Sequence, residues 1–157
     1  MDTNLSDESR VWIYQSNRLL SEEEAKKIQN HLDNFCQQWA SHSRQLKAAG
    51  KVVNRSFVVL MADESQAGAS GCSIDSSVHF VKALQQEFSI DLFDRMNFAF
   101  ESENEVHIAN RGTFEELYRS GKIKDTTVVF DTLVKTKKDF DLGFKKPLSE
   151  SWHHRFV

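Results

Sequence analysis

No run of 18 apolar residues occurs in this chain, so no stretch of it is long enough to cross a bilayer as a helix. The first ten residues, MDTNLSDESR, are polar and acidic, the reverse of the basic and then apolar order of a secretory signal. A basic excess is missing too, since 20 Lys and Arg stand against 23 Asp and Glu for a formal net charge of -3. Affinity for a phosphate backbone rests on clustered cations, so nucleic acid is not an expected partner. Cysteine is scarce: Cys36 and Cys72 fall on separate expected elements without CxxC spacing, which supports neither a disulfide framework nor a zinc site. Two free thiols and no leader fit a cytoplasmic protein. Proline occurs once, at Pro147, and no interior linker, repeat or low-complexity stretch divides the chain.

What is present is a globular composition, 39% hydrophobic and 11% aromatic over 157 residues. That length buries a sizeable core without metals or cross-links. A single domain over 1–157 is the expectation, with residues 1–9 flexible.

Val11 to Ser16, VWIYQS, is β-branched and aromatic and reads as a strand. Ser21 and Glu24 form the S-x-x-E capping box, and Ile28, Leu32, Phe35 and Trp39 recur at helical spacing, so a helix is expected over 21–40. A weak extended segment precedes SFVVLMA, which is apolar enough to be a strand buried on both faces. ESQAGASGCSI reads as a loop of small residues. Asp75 or Ser76 then caps a helix carrying Val78, Val81, Leu84 and Phe88. MNFAFES and EVHIAN alternate apolar and polar residues and read as a hairpin turning at Glu103-Asn104. Thr113 is the expected cap of a short helix ending near Gly121, and TTVVFDTLV returns as a strand. The aromatic tail after it reads as an irregular arm packed on the domain.

This order predicts an α+β fold, a two-layer sandwich with a ferredoxin-like β-α-β-β-α-β core and a C-terminal α/β extension. Without the weak strand, a three-layer α/β sheet is the alternative.

VWIYQSNRLLS, ASGCSIDSSVHFVKALQQEFSIDLFDR and PLSESWHHRF together resemble a small bacterial family commonly labelled "ABC transporter ATPase", with GCSIDSSV the most specific part. That label implies nucleotide chemistry, which needs G-x-x-x-x-G-K-[ST] so that backbone amides and a lysine cradle phosphates. Gly50-Lys51 and Gly121-Lys122 are followed by Val52 and Ile123, and neither has a glycine five residues upstream. The resemblance therefore implies no ATPase activity here. TFEELYRSGKIKDTTVVF, residues 113–130, is similar to the helix-turn-strand of GYF-type adaptor modules but lacks their peptide-binding signature. It implies an interaction role at most.

The candidate site is the stretch before the second long helix. A thiol at a helix N-terminus feels the positive end of the dipole and unpaired N–H groups, which favour the thiolate, so Cys72 is the candidate nucleophile. Ser70, Ser73 and Ser76 offer hydroxyls there, Gly71 permits close approach to the backbone, and Asp75 and His79 complete the candidate ligand-binding set. Asp75 opposes a low thiol pKa. Cys36, beside Phe35 and Trp39, reads as inert. His31, His42, His79, His107, His153 and His154 are scattered without metal-ligand spacing, so no metal is expected. Trp152 and Phe156 around the histidine pair read as packing. Lys135 to Lys138 reads as a solvated turn rather than an anion site. G-x-S-x-G is absent, which disfavours a serine hydrolase. Three functions remain, in this order: a non-enzymatic binding or adaptor domain for a protein or small molecule, needing no cofactor; a thiol-dependent enzyme or redox sensor at Cys72; and a small-anion binder at the same helix start.

Overall fold

Every residue from Phe57 to Asp63 is buried, which a strand achieves only with cover on both faces and partners on both edges. The structure, a computed structural model, describes residues 4–41, 44, 45, 47–64 and 71–157, and side chains for 4–39, 47–64 and 74–157. Its elements are β1 (Arg10–Gln15), α1 (Glu22–Gln38), β2 (Ala40–Ser41), β3 (Arg44–Gln45), β4 (Lys47–Val53), β5 (Phe57–Asp63) and α2 (Gly71–Phe88). There follow β6 (Asn97–Ser102), β7 (Glu105–Asn110), α3 (Arg111–Arg119), β8 (Val128–Phe130), α4 (Lys137–Gly143) and β9 (Lys145–Pro147). Two 3-10 turns, Leu148–Glu150 and Trp152–Phe156, close the chain.

Two antiparallel sheets carry the fold, a first with strand order β1-β5-β4 and a second with order β7-β6-β8-β9, beside a short β2-β3 ribbon. The alternation of β5 explains the layers. Val58 and Leu60 point at Ile28, Leu32 and Cys36 of α1 and at Val81 and Leu84 of α2. Phe57, Val59 and Met61 point the other way, onto Ala99, Phe130, Phe140 and Phe144 of the second sheet and α4. The far side of that sheet, Phe98, Phe100 and Val129, packs under Phe114 of α3 and Leu148, with Trp152 and Phe156 against it. The order through the molecule is helices, sheet, sheet, then helix and arm.

The mixed α and β class with antiparallel sheets is therefore as expected, whereas the two-layer ferredoxin-like arrangement is not. The weak strand before Ser56 does form, as β4, and pairs along β5 from Lys47↔Asp63 to Val53↔Phe57. The strand that would complete a single sheet beside β1 is β6, and it lies inside the second sheet instead, between β7 and β8. The physical reason lies in the apolar second face of the first sheet, which a two-layer sandwich would leave in water. The three-layer alternative required the weak strand to be missing; β4 forms, and every strand pair among the described residues is antiparallel.

Local chemistry sets the boundaries. Both capping-box bonds of α1 form, Glu24 N–H to Ser21 Oγ at 3.0 Å and Ser21 N–H to Glu24 Oε1 at 2.9 Å. Glu103 and Asn104 adopt φ of 54° and 64°, the two-residue left-handed turn expected between β6 and β7. α2 begins at Gly71, so Asp75 and Ser76 lie inside it and are not its caps. α3 is capped by Asn110, whose side chain accepts from Thr113 N–H at 2.9 Å, because β7 runs directly into the helix and brings that side chain to its first turn. β8 keeps only three residues of TTVVFDTLV. At one end Lys124 donates its N–H to Thr127 Oγ1, and at the other Leu133 donates its N–H to Asp131 Oδ1, so both flanks turn away. The tail is packed as expected, though as α4, β9 and the two turns rather than irregularly. In the N-terminal segment, Ser9 is buried, and Lys137 and Lys138 donate their N–H groups to the carbonyls of Ser9 and Asp7. Lys137 itself is buried against Asp141 at 2.8 Å, not solvated in a turn. No helix among the described residues is long and apolar enough to cross a membrane.

Candidate functional site

Gly71, Cys72 and Ser73 form the first turn of α2, which puts position 72 at the positive end of an 18-residue helix. Ser70 lies outside the described residues. Asp75, Ser76 and His79 are exposed on the helix, and with position 72 they follow the i, i+3, i+4, i+7 spacing of one stripe. Ser77, between them in sequence, is buried and donates its hydroxyl to Ile74 C=O at 2.6 Å. The structure thus aligns three of the candidate residues along a helix face rather than around a closed pocket. Cys36 is buried under β4, and its thiol is pushed up to about 12 by that burial, assisted by the Asp33 charge. It is no nucleophile at neutral pH. Among the described residues, no group of three or more His, Cys, Asp and Glu side chains could hold a metal ion.

A groove opens elsewhere, along the edge of the first sheet. The two edges of the first sheet are treated unequally. At the β4 edge, Gln29 of α1 donates its amide to Gly50 C=O and accepts from Val52 N–H, both at 3.0 Å. That side chain imitates a neighbouring strand and closes the edge. At the β1 edge, Val11 donates its N–H to Lys135 C=O at 2.9 Å, and Arg10 bridges Thr136. There the rung ladder stops, because Asp131 takes the Leu133 N–H and turns residues 132–135 away from the strand.

The strap and the strand part to leave a groove of about 330 Å³ beside Trp12, Ile13 and Tyr14. It runs on past Arg95 and Thr132 toward Gln15, where a narrower pocket is walled by Leu92, Phe93 and Asp94. Odd-numbered residues of β1 turn their backbone groups outward, as the Val11 bond shows, so the Val11 C=O and the Ile13 N–H and C=O face the groove. Among the described residues no strand pairs with β1 beyond Val11 on this side. The walls mix apolar and polar groups: Trp12, Tyr14 and Val134 are half-buried, Phe93 and Leu133 are 37% and 48% exposed, and Thr132, Arg95 and Lys135 stand among them. Phe93 meets Tyr14 edge-on, with centroids 5.4 Å apart.

The rim is cationic. Arg10 lies over Trp12 at 4.7 Å and pairs with Glu64 at 3.3 Å. Arg95 and Lys135 are exposed, and among the described residues no carboxylate pairs with either. Burial pushes the Tyr14 phenol upward while the Arg95 charge beside it pulls the other way. The chemistry on offer is main-chain pairing between walls of mixed apolar and polar character under a positive rim.

The strap is braced from behind. Asp131 accepts from Lys146 Nζ at 2.7 Å, from Trp152 Nε1 at 3.0 Å and from Leu133 N–H at 2.9 Å. Burial pushes its carboxyl up, and those donors together more than offset the effect, leaving it below the ordinary carboxylate value. Trp152 stacks on His153 at 3.7 Å, and His153, almost fully buried, shares a 2.6 Å bond between Nδ1 and Ser151 Oγ. Burial lowers that imidazole to about 4, against an upward pull from Asp131. The aromatic arm, read from the sequence as packing, holds the groove wall in place through Asp131. Sequence reasoning passed over the groove, since VWIYQS reads as any strand does and nothing in it marks an edge. The chain matches no family model, no curated protein and no solved structure.

Proposed function

We propose that this chain is a non-enzymatic binding domain of the adaptor kind, and that the groove beside β1 is its binding surface. The observation that carries the reading is the open half of β1, where three main-chain groups converge with the half-buried Trp12, Tyr14 and Val134 and with Arg95 and Lys135, which have no carboxylate partner among the described residues. Such a surface supplies affinity through hydrogen bonds and buried area, and needs no reacting group. Its test is selection of a random heptapeptide display library against the folded chain. Recovered peptides bind the wild type, and lose about tenfold or more in affinity on Leu133→Asp, a change at an exposed position that leaves the melting temperature in place. A library that enriches nothing over its input overturns the reading.

The first-turn position of Cys72 favours a second reading, a reactive thiol at the head of α2. Because Cys36 is silent at about 12, iodoacetamide labelling of the folded protein reports on Cys72. An apparent pKa well below about 8.5 supports thiol chemistry, and labelling only upon unfolding rejects it.

A further inference from the structure

We infer that the groove takes an extended peptide segment bearing acidic side chains, which adds to β1 as the next strand of the first sheet; this rests on the groove being the binding surface. Val11 C=O and the Ile13 N–H and C=O are an incomplete ladder, begun by Lys135 and abandoned one rung later. An extended backbone is the ligand that completes it, and its alternating side chains would meet the two walls in turn. On one side stand Trp12 and Tyr14, which pack toward the helices, and on the other Ile13 and Val134, which pack toward the second sheet. The opposite edge shows what closure looks like in this molecule: Gln29 occupies the equivalent groups of β4.

Charge selects among extended ligands. Arg95 and Lys135 stand at the rim without carboxylate partners among the described residues, so an acidic segment gains two pairs on docking. A second copy of this chain adding its own β1 across a two-fold axis would set Arg10, Arg95 and Lys135 against the same three cations. Like charges in that arrangement disfavour self-association. Asp94, the acid on the narrow end, is engaged in accepting the Met96 N–H at 2.9 Å.

The experiment reads the composition of heptapeptides recovered from a random display library, then measures a synthetic copy of the strongest by fluorescence anisotropy. Enrichment of Asp and Glu over the input is expected. So is a loss of about tenfold or more in affinity on Arg95→Glu with Lys135→Glu, both at exposed positions. N-methylation of the peptide, scanned along its length, should abolish binding at alternate amides and be tolerated between them, the signature of a ladder. Recovered peptides that are neutral or basic, or that tolerate N-methylation at every position, overturn this inference and leave the binding reading standing. No enrichment overturns both. A peptide-displaced dimer in sedimentation assigns the groove to a second copy and overturns the inference as well.

Discussion

His153 is neutral where it sits, pressed against Trp152 and bonded to Ser151, and protonation would place a charge in that apolar layer. Above pH 6.5 the imidazole is neutral folded or unfolded, so it adds no pH dependence there. Between 6.5 and about 4 the unfolded chain takes up a proton that the folded chain refuses, and stability falls as pH falls, by about 3 kcal/mol in all. Urea midpoints measured from pH 7.5 to 4 should show this drop, and His153→Gln should flatten it. An unchanged slope in the variant would mean that other groups carry the acid sensitivity. Asp131 is the neighbouring residue with the widest reach, since it serves Lys146, Trp152 and the strap at once. Asp131→Ala leaves those donors unpaired and should cost about 2–3 kcal/mol. It should also weaken peptide binding more than its stability loss alone would, because the groove wall moves; affinity measured well below the variant's melting temperature separates the two effects.

At the scale of elements, the contrast between the two sheet edges has a direct test. Gln29→Leu removes the amide that pairs with Gly50 and Val52, exposing β4 as an unprotected edge. A stability loss of about 1–2 kcal/mol is expected, with concentration-dependent association in sedimentation velocity beyond that of the wild type. A monomeric variant of unchanged stability would show that Gln29 does not guard the edge. α1 can perform this task because it packs so closely on β4. A Cβ placed on Gly50 would stand 3.0 Å from Leu32 Cδ2 and 3.3 Å from Cys36 Sγ, so any side chain there would make those neighbours give by a few tenths of an ångström.

For the molecule as a whole, the two sheets stand or fall together, since the ring of Phe57 packs on Phe130 at 5.2 Å and on Phe144 at 5.0 Å across the layer between them. Phe57→Ala should cost about 3–5 kcal/mol and lower a single transition followed by both far-UV and near-UV circular dichroism. Two separated transitions in the variant would mean that the sheets fold independently.

The physics of neighbouring residues was enough for the elements whose reasons are local. The capping box of α1 needs only Ser21 and Glu24, the turn of the β6-β7 hairpin only two left-handed residues, and the buried run of β5 announces itself by its continuous apolarity. That same run carried the correction to the fold: a strand apolar on both faces demands cover on both, which a two-layer sandwich does not provide. Where the start of α2 or the cap of α3 was misplaced, several residues could cap equally well from sequence, and the direction from which the chain enters decided between them. The groove had no sequence signal at all. An edge is defined by the strand that is missing beside it, and that depends on where β6 goes, where Asp131 turns the strap, and how the aromatic arm braces it, through contacts such as Gln15 to Asn97, 82 positions apart, and Trp152 to Asp131. Local chemistry determined most of the helices, strands and turns of this protein, while tertiary packing set the start of α2, the cap of α3 and which main-chain groups of β1 were left open as its candidate binding surface.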